Sequence, residues 1–423
     1  MKILIRLAVC AALFISFANS PAWPQTSPTT LPTSGFTLST DSVGPVRFVA
    51  VHGRRSAILG YSQNGLEMWA WPFQILSGYR IGIRPQGAAT EMNGDLLLRR
   101  IEYDPDAVTR IYIGPDFVVY ERIFVPLDLS GAIITYKVEG RGHVDISVHF
   151  TPVLNLMWPA SAGGQSTAWN DAVSGYVISG VPGSITATIS SPEIISHDST
   201  ENSAIHYGDG LAFAIRPNVS AHVFVALNQA RTAGTLVKQL AADETALEQE
   251  ASAHYAALVR HTLQIETPDE DVNRALIWSE IALDQAWVCD PNLGCGLVAG
   301  YGPSRSARRP QYAWFFAGDG LIATDGLVAA GEYDRARAEL EFILKYHDQK
   351  NGMIWHELSQ SAGYLDWAGK YPYMFVHVDI TFQFLSALPR YIETSGDIDF
   401  AKQHWSAIES AYRYCESVID PAT

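Results

Sequence analysis

Tyr312, Trp314, Phe315 and Phe316 stand directly before the acidic turn Asp319-Gly320 in the stretch RPQYAWFFAGDG. Rings beside a carboxylate suit a ligand with an apolar face and a polar edge. Sugars have that surface: their C–H faces stack on indole and phenol rings, and their hydroxyls bond to carboxylates and imidazoles. Two later stretches repeat the combination. MIWHELSQSAG and YLDWAGKYPYMFVHVD supply Trp355, Trp367, Tyr371 and Tyr373 as rings, with His356, Glu357, Asp366 and Asp379 as polar partners. The candidate contact set is Trp314, Phe316, Asp319, His356, Glu357, Tyr373 and Asp379. Each has a plainer alternative taken alone: a ring can wedge a loop onto a core, and Asp319 can cap a helix. The set gains meaning only if its members share one face.

Other chemistries are disfavoured by spacing. HELSQ at His356 is not HExxH, because Gln360 stands where the second histidine would be. GCGLVAGYG, residues 294–302, follows a helical pattern rather than a strand and lacks the GxGxxG spacing of a dinucleotide loop. No metal and no cofactor is expected. The formal charge is −15, and −17 once Lys2 and Arg6 are removed with a leader, which argues against nucleic acid as partner. That leader is expected over residues 1–22: a basic start, the apolar run Leu7 to Phe17, then small residues. It is too short to span a bilayer. An exported chain, periplasmic or secreted and off the membrane after cleavage, follows as an expectation. In an oxidising compartment Cys289 and Cys295 are close enough to clip the loop CDPNLGC, with free thiols as the alternative.

The elements that must position the site change period along the chain. From 34 to 228, short runs such as VRFVAVHG, FVVYERIFVPL, AIITYKVEG and HVFVALN are rich in β-branched and aromatic residues and are separated by Gly, Pro, Asp and Ser. They predict an antiparallel β-sandwich. Residues 229–266 predict a connecting helix. From Thr267 the period is helical, with Thr267 as cap, Pro268 in the first turn and Glu270 closing a capping box. Helices are expected to about Trp287, from near Asp319 to Gly331, over 333–346, over about 376–391 and over 399–419. In the third, Ala336, Leu340, Ile343 and Leu344 face in and Arg335, Glu339 and Lys345 face out. The fourth reads as apolar nearly all round, and the fifth as placing Trp405, Ile408, Tyr412 and Cys415 on one side. Connections alternate long and short, so in an up-and-down array every long loop falls at one end. The ring-and-carboxylate stretches all lie in or beside long loops.

GLVAGYGPS…RPQYAWFFAGDG, GMIWHELSQSAG and YPYMFVHVDITFQFL resemble the amylo-α-1,6-glucosidase (glycogen-debranching) branch of the six-hairpin glycosidases, relatives of glucoamylase. The resemblance implies a β-sandwich followed by an (α/α) toroid of six helical hairpins. Residues 267–423 would form the N-terminal part of it, incomplete at five helices. It implies that Trp314 and Asp319 hold a terminal sugar, that His356 and Glu357 lie on a second contacting loop, and that Asp379 opens the fourth helix. Such motifs often place Arg before the Asp, where this chain has Gly318. The expected activity is an exo-acting, inverting glycoside hydrolase on an oligo- or polysaccharide. Its acid and base would lie on a loop starting near Asp420-Pro421 and on a later hairpin, beyond Thr423. A glycoside phosphorylase of the same architecture, with Arg305, Arg308 and Arg309 as its only basic candidates, and a non-catalytic carbohydrate-binding protein are the alternatives.

Overall fold

Strand signals up to residue 228 and helical signals after it become two layers in the computed structural model, which describes residues 36–160, 163–181, 185–200, 210–228, 234–304 and 307–419. The leader expected over 1–22, Arg305 and Asp420-Pro421 lie outside the described residues.

Two antiparallel sheets stack face to face. One runs in the order Leu38–Thr40, Leu98–Tyr103, Ala107–Ile113, Phe117–Phe124, Gly131–Gly140, Ala221–Asn228, Thr186–Ser190, Gly175–Val181 and Gly163–Asn170. The other runs Ile194–His197, Leu211–Ile215, Val144–Leu156, Phe73–Pro85, Leu66–Ala70, Ser56–Tyr61 and Phe48–His52, with Met92–Asn93 added beside Phe73–Pro85. Alternation sets what points between them. Along Phe117–Phe124, Phe117, Val119, Glu121 and Ile123 are buried while Val118, Tyr120 and Arg122 between them are half-exposed.

That register sends a carboxylate into the core. Glu121 is fully buried, and Arg110 stands directly opposite it on the adjacent strand and donates to Oε2. The Tyr112 hydroxyl donates to the same oxygen at 2.9 Å, and Tyr136 donates to Oε1 at 2.8 Å. Every strong acceptor on Glu121 is therefore used, which the dry interior demands.

The eight-stranded sheet is covered on its outer face too. Ala57, Leu59, Trp69, Trp71 and Met157 join a second core with Trp314, Phe315, Leu340, Trp355 and Phe384 from the helical layer. Strands Ser56–Tyr61 and Leu66–Ala70 are thus buried almost throughout rather than alternately.

Six helices matter for the site: α1 (Thr235–His261), α2 (Glu270–Gln285), α3 (Ala317–Ala330), α4 (Tyr333–Lys345), α5 (Asp379–Ser395) and α6 (Ile398–Val418). The connecting helix α1 is not a free spacer. It lies along the nine-stranded sheet, with Val237, Leu240, Tyr255 and Leu258 packed on Phe124, Ile133 and Phe224. Consecutive helices pack together, and α3 also packs on α5.

Several local expectations are corrected. The cap of α2 is Asp269, whose side chain accepts from the amides of Asp271 and Val272; Thr267 instead bonds Asn273 across the entry turn. Helix α5 is amphipathic: Ile380, Phe384, Leu388 and Tyr391 are buried, whereas Asp379, Phe382, Ser386 and Arg390 are exposed. On α6 the buried side is Phe400, Ile408, Ala411, Tyr414 and Cys415, while Trp405 and Tyr412 are 60% and 55% exposed. Glu339 is buried on α4 rather than facing out. Before α3, Cys289 and Cys295 face each other across a hairpin, Trp287–Asp290 with Gly294–Leu297, and are joined in a disulfide. Among the described residues no helix is long and apolar enough to cross a membrane.

Glu121→Ala should leave the Arg110 guanidinium buried without its counter-charge and lower stability by about 3–5 kcal/mol. Chemical denaturation of both proteins checks this, and a loss under about 1 kcal/mol would show that the network contributes little.

Candidate functional site

Two long loops are stitched together by a two-residue antiparallel ladder. Phe315 pairs with Leu358 and Phe316 with Glu357. The Ala317 amide donates to the His356 carbonyl at 3.1 Å, and the His356 amide donates to the Met374 carbonyl at 2.6 Å. The start of α3, the His356-Glu357 loop and the approach to α5 are thereby held edge to edge, because extended segments this short keep their place only by pairing.

The side chains on this edge form one strip. The His356 ring lies 5.6 Å from Phe316 and 4.3 Å from His377, and the His377 Nδ1 is 3.7 Å from Asp379 Oδ1. Asp319 and Asp379 both act electrostatically on His356. Burial, with His377 beside it, nevertheless holds the His356 imidazole below its usual range, so the ring is neutral at pH 7. Gln383 Nε2 donates to Asp379 Oδ2 at 3.2 Å. Asp319 is exposed in the first turn of α3, beside the unpaired amides of the helix start. It is not a side-chain cap: the capping position belongs to Phe316. An exposed carboxylate there is open to the hydroxyls of a ligand.

Glu357 differs. The residue is 8% exposed, and among the described residues its carboxylate has no hydrogen-bond partner. Burial pushes its carboxyl up, while Arg309 and His377 pull it back. The Arg309 guanidinium lies 4.7 Å from the Trp314 ring and 5.5 Å from the Trp158 ring.

The structure thus brings Phe316, Asp319, His356, Glu357, Tyr373 and Asp379 together on one face. Trp314 is placed differently from expectation. It is 1% exposed, part of the second core, and supports Arg309, Phe316 and Trp158 from beneath rather than offering a free face. Trp355 and Trp367 are also core residues, their indole N–H groups donating to the carbonyls of Ile343 and Glu357. Sequence reasoning missed Trp158 and His377 and weighed Arg309 only as a phosphate ligand. The Trp-Pro pair closing strand Val144–Leu156 was the available signal for Trp158. Among the described residues no group of three or more His, Cys, Asp and Glu is placed to hold a metal ion.

Two glycines let α3 approach its neighbours. A Cβ at Gly318 would meet Gln383 Oε1 closely at 3.3 Å and Ile380 Cδ1 at an ordinary 3.8 Å. A Cβ on Gly320 would overlap Glu339 Oε1. The other Glu339 oxygen accepts from the Leu297 amide at 2.8 Å, tying the disulfide hairpin beneath the helix start. Burial pushes the Glu339 carboxyl up to about 8. A raised folded-state value favours folding below the ordinary carboxyl range, and that contribution is lost as pH climbs to about 8. Relative to Glu339→Gln, the wild type should therefore lose stability between about pH 4.5 and pH 8, with a limiting slope of about 1.4 kcal/mol per pH unit. Parallel thermal melts across that window check it, and parallel curves would refute it.

No family model matches the chain, and no curated protein matches it. Solved structures do. A bacterial glucoamylase in complex with acarbose aligns with a TM-score of 0.58 at 12% identity, over 90% of this chain and 69% of that one. A protein described as a kojibiose phosphorylase, from the human microbiome, aligns with a TM-score of 0.55 at 8% identity, over 91% of this chain and 60% of that one. This chain therefore spans less than two thirds of the phosphorylase's length. At such identities the agreement concerns the fold. A β-sandwich followed by packed helices is what this chain shares with both structures over nine-tenths of its sequence.

Proposed function

We propose that this chain carries the sugar-binding mouth of an exported carbohydrate-active enzyme, a glycoside hydrolase acting on the end of a neutral oligo- or polysaccharide. The observation that carries the reading is the strip itself: Asp319, His356 and Asp379 converge on one face beside the Phe316 ring, and three different chain segments are paired to keep them there. A glucoamylase and a phosphorylase of sugars share the fold, which supports carbohydrate as the ligand class.

Roles follow from environment. Asp319 and Asp379 accept hydrogen bonds from hydroxyls of a terminal sugar, and the neutral His356 donates or accepts between them. Phe316 lies under the ring's C–H face. Asp319 is a positioning carboxylate and takes no proton in the reaction. Inverting hydrolysis uses two carboxyl groups far enough apart to admit a water, and this chain's exposed carboxylates are assigned to neither part. The disulfide Cys289–Cys295 supports the exported reading, since such bonds persist in oxidising compartments.

The phosphorylase reading has the second fold match in its favour and requires an anion site. Of the described basic candidates, Arg308 donates to the Ala160 carbonyl at 3.4 Å, and Arg309 lies within electrostatic reach of Glu357. That pairing favours a neutral ligand over phosphate.

Asp319→Asn keeps the shape of the side chain and removes its charge. It should weaken binding of any oligosaccharide the wild type retains by about tenfold or more, the loss of a charge-assisted hydrogen bond. Glycan-array retention followed by titration calorimetry checks this. Equal binding by both proteins would end the sugar-site reading.

A further inference from the structure

The long connection that enters α3 is tied to the sandwich by a buried carboxylate. Glu67, on strand Leu66–Ala70, is 6% exposed, and both of its oxygens accept from Ser304 in that connection. The Ser304 amide donates to Oε1 and the Ser304 hydroxyl to Oε2. Gln74, on strand Phe73–Pro85, donates through Nε2 to Glu67 Oε2 at 2.8 Å and to Ser304 Oγ at 3.3 Å. All three residues are buried, so they close a polar triangle away from solvent. Burial pushes the Glu67 carboxyl up, and the two Ser304 donors pull it back.

The connection held in this way is strained. Arg308 and Gln311 both have left-handed backbones, with φ of 52° and 57°, a region that residues with a Cβ rarely adopt. Such conformations persist only where the surroundings over-determine them. Three anchors do so here. Ser304 is bound to the sandwich through Glu67 and Gln74. Gln311 Nε2 donates to the Pro303 carbonyl at 3.2 Å and closes the connection on itself. The Trp158 amide donates to the Arg308 carbonyl at 3.0 Å, and Ser359 Oγ clamps Trp158 from its other side, donating to its carbonyl at 2.9 Å. The half-buried Trp158 ring lies 5.4 Å from Trp314 and 6.2 Å from Tyr373, with the Arg309 guanidinium over it. Of the three anchors, the one on Glu67 is charge-assisted. Pro303 and Ser304 border a cavity of about 430 Å³, so hydrogen bonds rather than close packing hold the tip there.

We propose that Glu67 is a positioning residue for the sugar-binding mouth, acting through Ser304 on the connection that carries Arg308, Arg309 and Trp314. It belongs to the sandwich and touches no ligand. Its carboxylate fixes the tip of the connection, and the left-handed Arg308 then sets Arg309 over Trp158 and Trp314, within electrostatic reach of Glu357. The role at the mouth rests on the sugar-binding reading given above, whereas the hold on the connection is independent of it.

The test compares, in the full chain, Glu67→Gln, Ser304→Ala and the exchange of Glu67→Gln with Gln74→Glu. In Glu67→Gln the new amide N–H faces donors of Gln74 or Ser304 with no acceptor between them. The exchange puts one carboxylate and one amide back around Ser304. Limited trypsin digestion, followed by mass at the Arg308–Arg309 bond, reports the hold on the connection, with thermal melts alongside. Cleavage should be about tenfold faster in Glu67→Gln, faster by a smaller factor in Ser304→Ala, and within about threefold of wild type in the exchange. Affinity for the glycan best retained on an array should fall and recover in the same order. Unchanged cleavage in Glu67→Gln and Ser304→Ala overturns the proposal, and if Glu67→Gln does not fold, Ser304→Ala decides alone. An exchange that is cleaved as fast as Glu67→Gln overturns it too, because the triangle would then not be what holds the tip. Faster cleavage with unchanged glycan affinity overturns the role at the mouth while the sugar-binding reading stands. If the wild type retains no glycan, that reading falls and the role at the mouth with it.

Discussion

The backbone pairing of Phe315-Phe316 with Glu357-Leu358 is the constraint on which the site depends. Phe315-Phe316 closes one long connection and Glu357-Leu358 lies within the next, and neither belongs to a large sheet. Pairing satisfies their amides and carbonyls and sets the register of everything attached. One residue further on, Ala317 begins α3, so Asp319 is delivered three residues past the paired edge. On the other side the same pairing holds Glu357 opposite Phe316 and keeps the His356 ring beside it. A one-residue slip would turn Glu357 to the opposite face and carry the His356 ring away from Phe316.

Two buried carboxylates show how differently the fold handles charge. Glu121 sits between strands with a guanidinium directly opposite and two phenols on its oxygens, and it serves the sandwich's register. Glu339 accepts from the Leu297 amide and stands against a glycine, with its carboxyl pushed well up by burial. The first is an ion pair completed by hydrogen bonds. The second is a neutral wedge at neutral pH, supporting the helix start on which Asp319 stands.

Legibility in the sequence followed the number of faces each element buries. FVVYERIFVPL announces itself because one face meets the core, and HVFVALN, buried on both, by its β-branched and aromatic residues. SAILGY and LEMWA were passed over, because strands buried on both faces lose their alternation. Glu339 was placed outward from its charge alone, although its spacing from Ala336 and Ile343 puts it on the inward side of α4. The composition of α5 suggested burial all round, yet Val378 and Phe382 are exposed. For the site, the loops after Cys289 and His347 were recognisable by their rings and acids. Trp158 was not, because only the packing of the helical layer on the sandwich brings it beside Trp314 and Tyr373.

The clamping of Trp158 bears on how such a protein can be divided or recombined. Its indole is encoded with the sandwich but oriented by carbonyl and hydroxyl groups of the helical loops. Excising the sandwich as a dispensable accessory would strip a ring from the mouth and free Arg309 from half its stacking. Grafting these helices onto a foreign sandwich would succeed only where the donor scaffold offers an aromatic side chain at the same strand end. The seam between layers is therefore inherited as a unit.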